Sequence, residues 1–250
     1  MKKFIFYLII AILIGVMAFA GYNIYKIQKE YSDGEKTYAE LEKLSPVEKS
    51  SDGKSKLPKK STKLSENEKT VREKNFKELS SINKDFVGWI YIPNAGINYP
   101  MAHTDNDDYY LHHTLYHEYN KAGTIFLSSS NNPNFEDGNT IIFGHNLLNG
   151  IMFSGLMNYQ YTDFFNANPY AYIYLKDRTN VYQAISAFVC TTSSPVYTTR
   201  FDKELLEKIR GWSMVSSSVK ATEDDKFITL STCTNWADEE RFVVVMKKIK

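Results

Sequence analysis

The 250 residues carry 30 Lys and Arg against 29 Asp and Glu, so the formal net charge is only +1. Such a balance argues against a dedicated nucleic-acid binder, which normally presents a concentrated basic surface. The 43% hydrophobic and 14% aromatic residues suffice to bury a sizeable core, and the presence of only two cysteines excludes a framework of several disulfides.

An uncharged apolar run occupies residues 4–20 and has about the length of a membrane-spanning helix, roughly 20 residues. Two lysines precede the run, and two tyrosines follow it closely. Positive charge on the cytoplasmic side and aromatic rings at the interface are typical of a single-pass anchor. We therefore predict a cytoplasmic tip at residues 1–3, a transmembrane anchor at 4–25, and the rest of the chain on the extracellular face of the cell membrane.

The same segment allows one alternative. Residues 18–20, Ala-Phe-Ala, have the small-x-small pattern of a signal-peptidase site, and cleavage there would release the protein.

Residues 26–64 are polar and rich in lysine, with Pro and Gly as breakers, which predicts an extracellular linker. Residues 65–250 form the predicted folded domain.

The folded domain begins with a predicted helix over residues 66–82, where a capping-box pattern precedes apolar residues at near-helical spacing. Short β-branched and aromatic runs follow, each bounded by Gly, Pro, Asn or Asp. These predicted strands occupy residues 87–92, 123–127, 140–143, 171–175, 181–189, 227–231 and 241–246. A second helix, capped by Asp202, carries apolar residues on one face from Leu205 to Val215. The pattern predicts a mainly β sandwich or barrel with peripheral helices.

Cys233 ends one predicted strand, and Arg241 begins the next one after a short loop. If the two strands form an antiparallel hairpin that closes symmetrically, these two residues lie opposite each other. A neighbouring guanidinium favours the thiolate, which is the reactive form of cysteine, and it can donate hydrogen bonds to a developing oxyanion. Cys233 is therefore the candidate nucleophile, although a cysteine at a strand end is more often a small packed hydrophobic residue.

His145 is the candidate partner of this thiol. It follows the predicted strand at 140–143 and a glycine that allows close backbone approach, a position from which an imidazole can face a neighbouring strand end. Cysteine acyltransferases and peptidases need such a group because the leaving amine must be protonated as it departs. A single histidine in a loop is uninformative without its surroundings.

The sequence around these residues resembles the sortase family of cysteine transpeptidases. Residues 229–233, TLSTC, match the TLxTC signature at every fixed position, residues 144–146, GHN, resemble the segment of the catalytic histidine, and residues 241–244, RFVV, resemble the strand that carries the arginine. The order His, Cys, Arg also agrees. Further segments are similar to class B sortases, namely residues 86–93, 97–100, 107–111 and 121–126.

The resemblance implies a closed eight-stranded β-barrel over residues 65–250, with an N-terminal helix and a helix inserted before the cysteine strand. It also implies a two-step acyl transfer on the surface of a Gram-positive cell. Cys233 would cleave a C-terminal sorting motif similar to NPxTN or NPxTG after its Thr, giving a thioester, while His145 protonates the leaving amine. Arg241 would hold the substrate and stabilise the oxyanion. An amine of a peptidoglycan precursor or cross-bridge would then accept the secreted protein, and no metal or organic cofactor is implied.

The resemblance also suggests, by rough position, which residues contact the peptide. Tyr197, Thr198 and Ser231 are candidates for lining the peptide groove. The backbone N–H of Thr234 is a candidate second donor to the oxyanion.

Two other functions use the same residues differently. A secreted or membrane-bound cysteine protease that only hydrolyses would use the same thiolate, imidazole and oxyanion donors, and a surface scaffold would bind peptides without catalysis.

His113 and His117 have the i, i+4 spacing of helical metal ligands, but Glu118 is misplaced for an H-E-x-x-H motif, so we expect no metal site. Cys190 falls in an alternating apolar strand and is expected to pack in the core.

Overall fold

The computed structural model describes residues 2–47 and 66–250. Within these ranges the α-helices are α1 (Lys2–Leu41), α2 (Glu66–Ile82), α3 (Thr162–Ala167) and α4 (Lys203–Gly211), and short 3-10 helices occur at Glu42–Leu44, Tyr109–Leu111 and Ser154–Gln160. The eight strands are β1 (Phe86–Ile92), β2 (Ile97–His103), β3 (Ile125–Leu127), β4 (Asn139–Phe143), β5 (Tyr170–Tyr174), β6 (Thr179–Thr191), β7 (Phe227–Cys233) and β8 (Glu240–Lys248).

The eight strands close into a barrel in the order β1-β2-β3-β4-β7-β8-β6-β5. Two neighbouring pairs, β2 with β3 and β4 with β7, are parallel, and the other six pairs are antiparallel. The predicted closed eight-stranded barrel is therefore confirmed. The pattern of short apolar runs did not identify β2, since Pro100 lacks the amide proton that a strand ladder uses and so interrupts the sequence signal.

Strand β8 is buried on both of its faces. Phe242, Val244 and Met246 point into the main core, and Val243 and Val245 belong to a second cluster that packs under the connection between β6 and β7. A strand that is covered on both faces has a continuous apolar sequence, whereas a strand covered on one face alternates apolar and polar residues. This explains the sequence Phe-Val-Val-Val-Met at residues 242–246. The candidate active-site strands are thus held from the barrel interior and from outside.

Helix α2 spans the predicted residues 66–82, and α4 begins as predicted, with the Asp202 carboxylate accepting a hydrogen bond from the N–H of Leu205 at 2.7 Å. The predicted end of α4 was wrong, since the helix stops at Gly211 before the apolar pattern ends at Val215. Just beyond the helix, the Ser213 hydroxyl accepts a hydrogen bond from the N–H of Ala187, so the chain turns back onto β6.

Helix α1 is longer than the apolar run from which it was predicted. It continues without a break to Leu41, so the polar residues 26–41, interpreted from the sequence as part of a linker, are helical here. The apolar part is exposed, for example Phe19 at 70%, whereas Tyr38 and Leu41 are buried against the barrel. Within the described residues, α1 together with the following 3-10 turn is the one helix long and apolar enough to cross a membrane.

Candidate active site

Cys233 and Arg241 face each other across the hairpin formed by β7 and β8. The strand register places the two residues directly opposite, as the hairpin spacing predicted. Directly opposed residues of antiparallel strands project to the same face, so the thiol and the guanidinium share one side of the sheet. Arg241 Nη1 donates hydrogen bonds to the backbone oxygens of Asp238 and Glu240 at 2.8 and 2.9 Å. These bonds fix the guanidinium at the base of the loop.

His145 reaches the same edge of the barrel from the neighbouring strand β4. Because β4 and β7 are parallel and Phe143 pairs with Ser231, residues 145 and 233 lie at equal distances beyond the ends of the paired segment. The side-chain amide of Asn146 donates to the carbonyl oxygen of Cys233 at 3.0 Å, and the Thr232 hydroxyl donates to the carbonyl oxygen of Gly144 at 2.7 Å. The histidine segment and the cysteine strand are therefore joined on both sides of the two candidate residues.

The imidazole of His145 is held by a backbone carbonyl. Its Nε2 lies 2.7 Å from the carbonyl oxygen of Leu111, and since a carbonyl only accepts, this nitrogen carries a proton. The neutral ring then presents Nδ1 for proton exchange. Burial lowers the pKa of His145 below its ordinary value, the Leu111 carbonyl opposes this shift, and the electrostatic effects of His112 and Arg241 add to it. The resting imidazole is accordingly neutral at pH 7 and able to accept a proton.

Two of the predicted groove residues, Tyr197 and Ser231, contact each other close to Cys233 in the structure. Ser231 lies two residues before Cys233 on the same face of β7, and its hydroxyl is 2.9 Å from the hydroxyl of Tyr197. The ring of Tyr197 also contacts the ring of Phe143, with centroids 6.0 Å apart. The backbone oxygen of Thr198 accepts a hydrogen bond from the buried side-chain amide of Asn139 at 2.8 Å. The main chain of Thr198 therefore fixes the segment that also carries Tyr197.

The sequence comparisons agree with this geometry. The sortase domain matches residues 90–249. Sortase B of Listeria monocytogenes is 38% identical over 178 residues, which cover 68% of this chain and 72% of the relative. The chain belongs to the sortase family. Sortase B of Staphylococcus aureus is 29% identical over 100% of the chain and 98% of its own length, which supports class B.

Solved class B sortases have the same fold. A cysteine-to-serine mutant of Clostridium perfringens sortase B superposes with a TM-score of 0.74 at 27% identity, covering 85% of this chain and 97% of its own. Staphylococcus aureus sortase B gives a TM-score of 0.66 at 31% identity, covering 70% and 87%. The protein is thus a sortase transpeptidase that acts on sorting-signal substrates with amine nucleophiles, and the purely hydrolytic protease is not favoured.

Thr234 of this sortase has its N–H engaged within the hairpin. The N–H donates to the carbonyl oxygen of Glu240 over a long distance of 3.4 Å, and the Thr234 hydroxyl accepts a hydrogen bond from the N–H of Trp236 at 3.1 Å. The predicted oxyanion donor would therefore have to exchange a weak internal bond for one to the substrate.

Cys190 lies on the opposite side of Arg241 from Cys233, because β6 pairs with the other edge of β8 and its register places Cys190 against the same arginine. Both cysteines are free thiols, and an intact strand separates them. Burial raises the pKa of the Cys190 thiol, although hydrogen bonds from Tyr197 and Ser194 and the charge of Arg241 oppose the shift. The sortase therefore contains a half-buried, protonated thiol on the far side of β8 from its candidate nucleophile.

The two histidines with helical spacing, His113 and His117, both contact Tyr109. His113 stacks on the ring of Tyr109 with centroids 4.2 Å apart, and His117 Nδ1 is 3.0 Å from the Tyr109 hydroxyl. Among residues 2–47 and 66–250, no three His, Cys, Asp or Glu side chains form a group that could hold a metal ion.

Two residues that hold the imidazole and its chain segment in place were not predicted as functional from the sequence. Leu111 acts through its backbone oxygen, which no side-chain pattern reveals. Asn146 adjoins His145 in the sequence, and a polar amide directly after a candidate catalytic histidine is the signal that could have identified it.

Proposed function

We propose that Cys233, His145 and Arg241 are the catalytic residues of this sortase. The observation that carries the proposal is the convergence of three chain segments. His145 follows the end of β4, which runs parallel to the cysteine strand β7, and Arg241 lies opposite Cys233 on the β7–β8 hairpin. The proposed substrate is a secreted protein whose C-terminal sorting motif resembles NPxTN or NPxTG and is cleaved after Thr.

In the first step, the sulfur of Cys233 attacks the carbonyl carbon of the motif threonine. The neutral imidazole of His145 takes the thiol proton through Nδ1, and the resulting imidazolium returns it to the departing amine. The C–N bond breaks, a thioester forms, and the C-terminal fragment leaves. The lowered pKa of His145 suits the second transfer, because the imidazolium of a histidine with a low pKa gives up its proton readily.

In the second step, an amine attacks the thioester carbonyl, His145 accepts the amine proton, and Cys233 leaves as a thiol after protonation. The thioester retains enough free energy to acylate an amine, so no nucleotide is consumed. We propose an amine of a peptidoglycan precursor or cross-bridge as the acceptor. Two solved structures of relatives support this proposal. One is a Staphylococcus aureus sortase B–substrate complex, and the other is a sortase B in complex with triglycine.

Arg241 is proposed to stabilise the oxyanion that forms in both steps. Its guanidinium shares a face with the thiol, and the loop carbonyls occupy only part of its five N–H donors. A preorganised donor in a water-poor site is worth far more than the same bond in water. Tyr197, Thr198 and Ser231 are proposed to line the peptide groove, with the N–H of Thr234 as a second oxyanion donor.

The N-terminal helix supports a proposed location at the cell membrane, with the N-terminus inside and the catalytic domain outside. In this proposal residues 1–3 are cytoplasmic, 4–25 span the bilayer and 65–250 form the catalytic domain. Residues 26–64 connect the last two, and their first part is the helical continuation of α1 to Leu41. The mean hydropathy of 2.7 in the most apolar window and its full exposure in the isolated chain support the span.

A matched pair of cysteine variants tests the proposal. Purified full-length protein in detergent is given a peptide that carries the sorting motif, with and without triglycine, and products are separated by mass. Cys233→Ala should abolish both cleavage and ligation, whereas Cys190→Ala should retain ligation within about twofold because its thiol is protonated and separated by β8. Ligation by Cys233→Ala would refute the proposed nucleophile, and exclusive hydrolysis by the unaltered protein with every amine tried would refute amine transfer.

A further inference from the structure

The end of α1 is bound to the loops that surround His145. The Asn120 side chain donates to the backbone oxygen of Glu30 at 3.0 Å, and the N–H of Lys121 donates to the Glu30 carboxylate at 3.0 Å. One turn further along the helix, the Asn149 side chain donates to the Glu35 carboxylate at 2.8 Å. The helix therefore contacts the segments on both sides of the imidazole.

Tyr38 is a buried contact of this helix with one of those loops. It is 5% exposed, and its hydroxyl donates to the carbonyl oxygen of Gly123. The hydroxyl oxygen of Tyr38 also lies 2.9 Å from the hydroxyl oxygen of Thr124. Burial raises the pKa of Tyr38 far above its ordinary value, so the hydroxyl stays a neutral donor at every physiological pH. The bond therefore persists wherever the enzyme works.

A first line of contacts leads from Tyr38 to the imidazole nitrogen. Gly123 has a φ of +59° and lies so close to the preceding turn that a Cβ on it would come within 2.5 Å of the Tyr110 oxygen and 2.9 Å of the Leu111 oxygen. The N–H of Thr124 donates to the same Tyr110 oxygen at 2.8 Å. The Leu111 oxygen is the acceptor for His145 Nε2. Movement at residues 123–124 therefore displaces the carbonyl that holds the ring.

A second line of contacts leads from Tyr38 to the backbone of His145. The ring of Tyr38 packs edge-on against Tyr99, with centroids 5.5 Å apart, and the Tyr99 hydroxyl accepts a hydrogen bond from the N–H of Met152 at 3.2 Å. The next residue, Phe153, donates its N–H to the carbonyl oxygen of His145 at 2.8 Å. One side chain of α1 thus supports both the ring and the main chain of the histidine.

We propose that Tyr38 is a positioning residue for His145, and that the segment of α1 from Glu30 to Leu41 holds the catalytic imidazole in its working orientation. This inference rests on the catalytic role proposed for His145. It assigns to the helix that emerges from the apolar run a function in the reaction, beyond anchoring the chain. A reacting group must be held within a few tenths of an ångström of its productive geometry, and loops reach this precision through such supporting contacts.

Tyr38→Phe in the full-length protein in detergent tests the proposal, because it retains the ring contact with Tyr99 and removes only the hydroxyl. The kcat for ligation to triglycine should fall roughly three- to tenfold, with KM for the peptide unchanged within about twofold. Tyr25→Phe is the matched control, since it removes a hydroxyl from a 63% exposed tyrosine of the same helix. This control should keep full activity.

The pKa of His145 is the readout that a purely structural role would not move. The Leu111 carbonyl raises this pKa, so weaker support should lower it in Tyr38→Phe. Histidine ring signals followed by NMR against pH report the value, and the signal that is missing in His145→Ala assigns it. An unchanged kcat and an unchanged His145 titration in Tyr38→Phe would overturn the proposal.

A second pair of variants keeps the test decisive if Tyr38→Phe folds poorly. Thr124→Val removes the hydroxyl on the other side of the contact, and Thr124→Ser restores it. The proposal requires loss of kcat and a lowered His145 pKa in the first variant and recovery of both in the second. Equal activity of the two would refute it. Full activity of His145→Ala would instead refute the proposed catalytic role of the histidine, so the two failures are distinguishable.

Discussion

Asn139 fastens the connection between β6 and β7 to the barrel, and its replacement by alanine should destabilise the protein strongly. The side chain is fully buried at the start of β4. Its amide nitrogen donates to the backbone oxygen of Thr198 at 2.8 Å, and its amide oxygen accepts a hydrogen bond from the hydroxyl of Thr229 at 2.8 Å. Thr229 is also fully buried, so water cannot replace the lost partner.

The magnitude follows from these two bonds. A net hydrogen bond contributes about 1 kcal/mol, and stranding a buried hydroxyl costs about 1–3 kcal/mol more. Asn139→Ala should therefore lower the free energy of unfolding by about 2–4 kcal/mol. For a domain of this size, each kcal/mol lowers Tm by about 2–4 °C, so a decrease of about 5–15 °C is expected. The KM for the peptide should also rise, because Tyr197 lies in the loosened segment.

Thermal unfolding followed by circular dichroism measures the effect. Asn134→Ala is the matched control, since that side chain is exposed, and it should melt within about 2 °C of the unaltered protein. In a Thr229→Val background the Asn139→Ala substitution should cost about 1 kcal/mol less, because no hydroxyl is left unpaired. If Asn139→Ala melted like Asn134→Ala, the reasoning would be refuted.

Two further predictions concern the imidazole and a glycine. The pKa of His145 is lower in the folded state than in the unfolded chain, so the unfolded chain binds the proton first as pH falls. The contribution of His145 to stability is therefore complete above the ordinary histidine pKa, and it is lost as pH falls through the folded-state value. The decrease of Tm between about pH 7.5 and pH 5.5 should be smaller in His145→Gln, and equal decreases would contradict the assignment. Gly123→Ala should destabilise by about 2 kcal/mol or more, since the new Cβ meets the oxygens of Tyr110 and Leu111. Gly96→Ala shares the positive φ but faces open space, so it should cost only about 1 kcal/mol, and equal melting temperatures for the two variants would show that the close contact is unimportant.

The hairpin illustrates what local sequence can predict. The spacing between Cys233 and Arg241 predicted their pairing on the assumption of a symmetric hairpin, because loop length and turn type together set an antiparallel register, and the structure has that register. The end of α4 was harder, because the apolar pattern continues past Gly211 into a segment that packs without being helical. Local patterns report burial more reliably than they report where a helix stops.

The surroundings of His145 illustrate what local sequence cannot predict. The Leu111 carbonyl that holds the imidazole is a backbone group 34 residues away, and any residue type supplies one. The docking of α1 depends on a contact between Tyr38 and a loop 85 residues further along the chain. Composition does not reveal such a contact, so the polar part of the helix was predicted to be a linker. Contacts of this kind depend on tertiary packing.

The chain order of the strands has a consequence for biogenesis. Strands β7 and β8 fill the gap between β4 and β6, so the barrel stays open until residues 227–248 have been added. The contact between Asn146 and Cys233 spans 87 residues, and such distant pairings form late because a long loop must first close. A chain whose barrel has not closed therefore holds its thiol apart from the proposed acid–base partner, and we expect chemical competence to begin only after β8 has been synthesised and has closed the barrel.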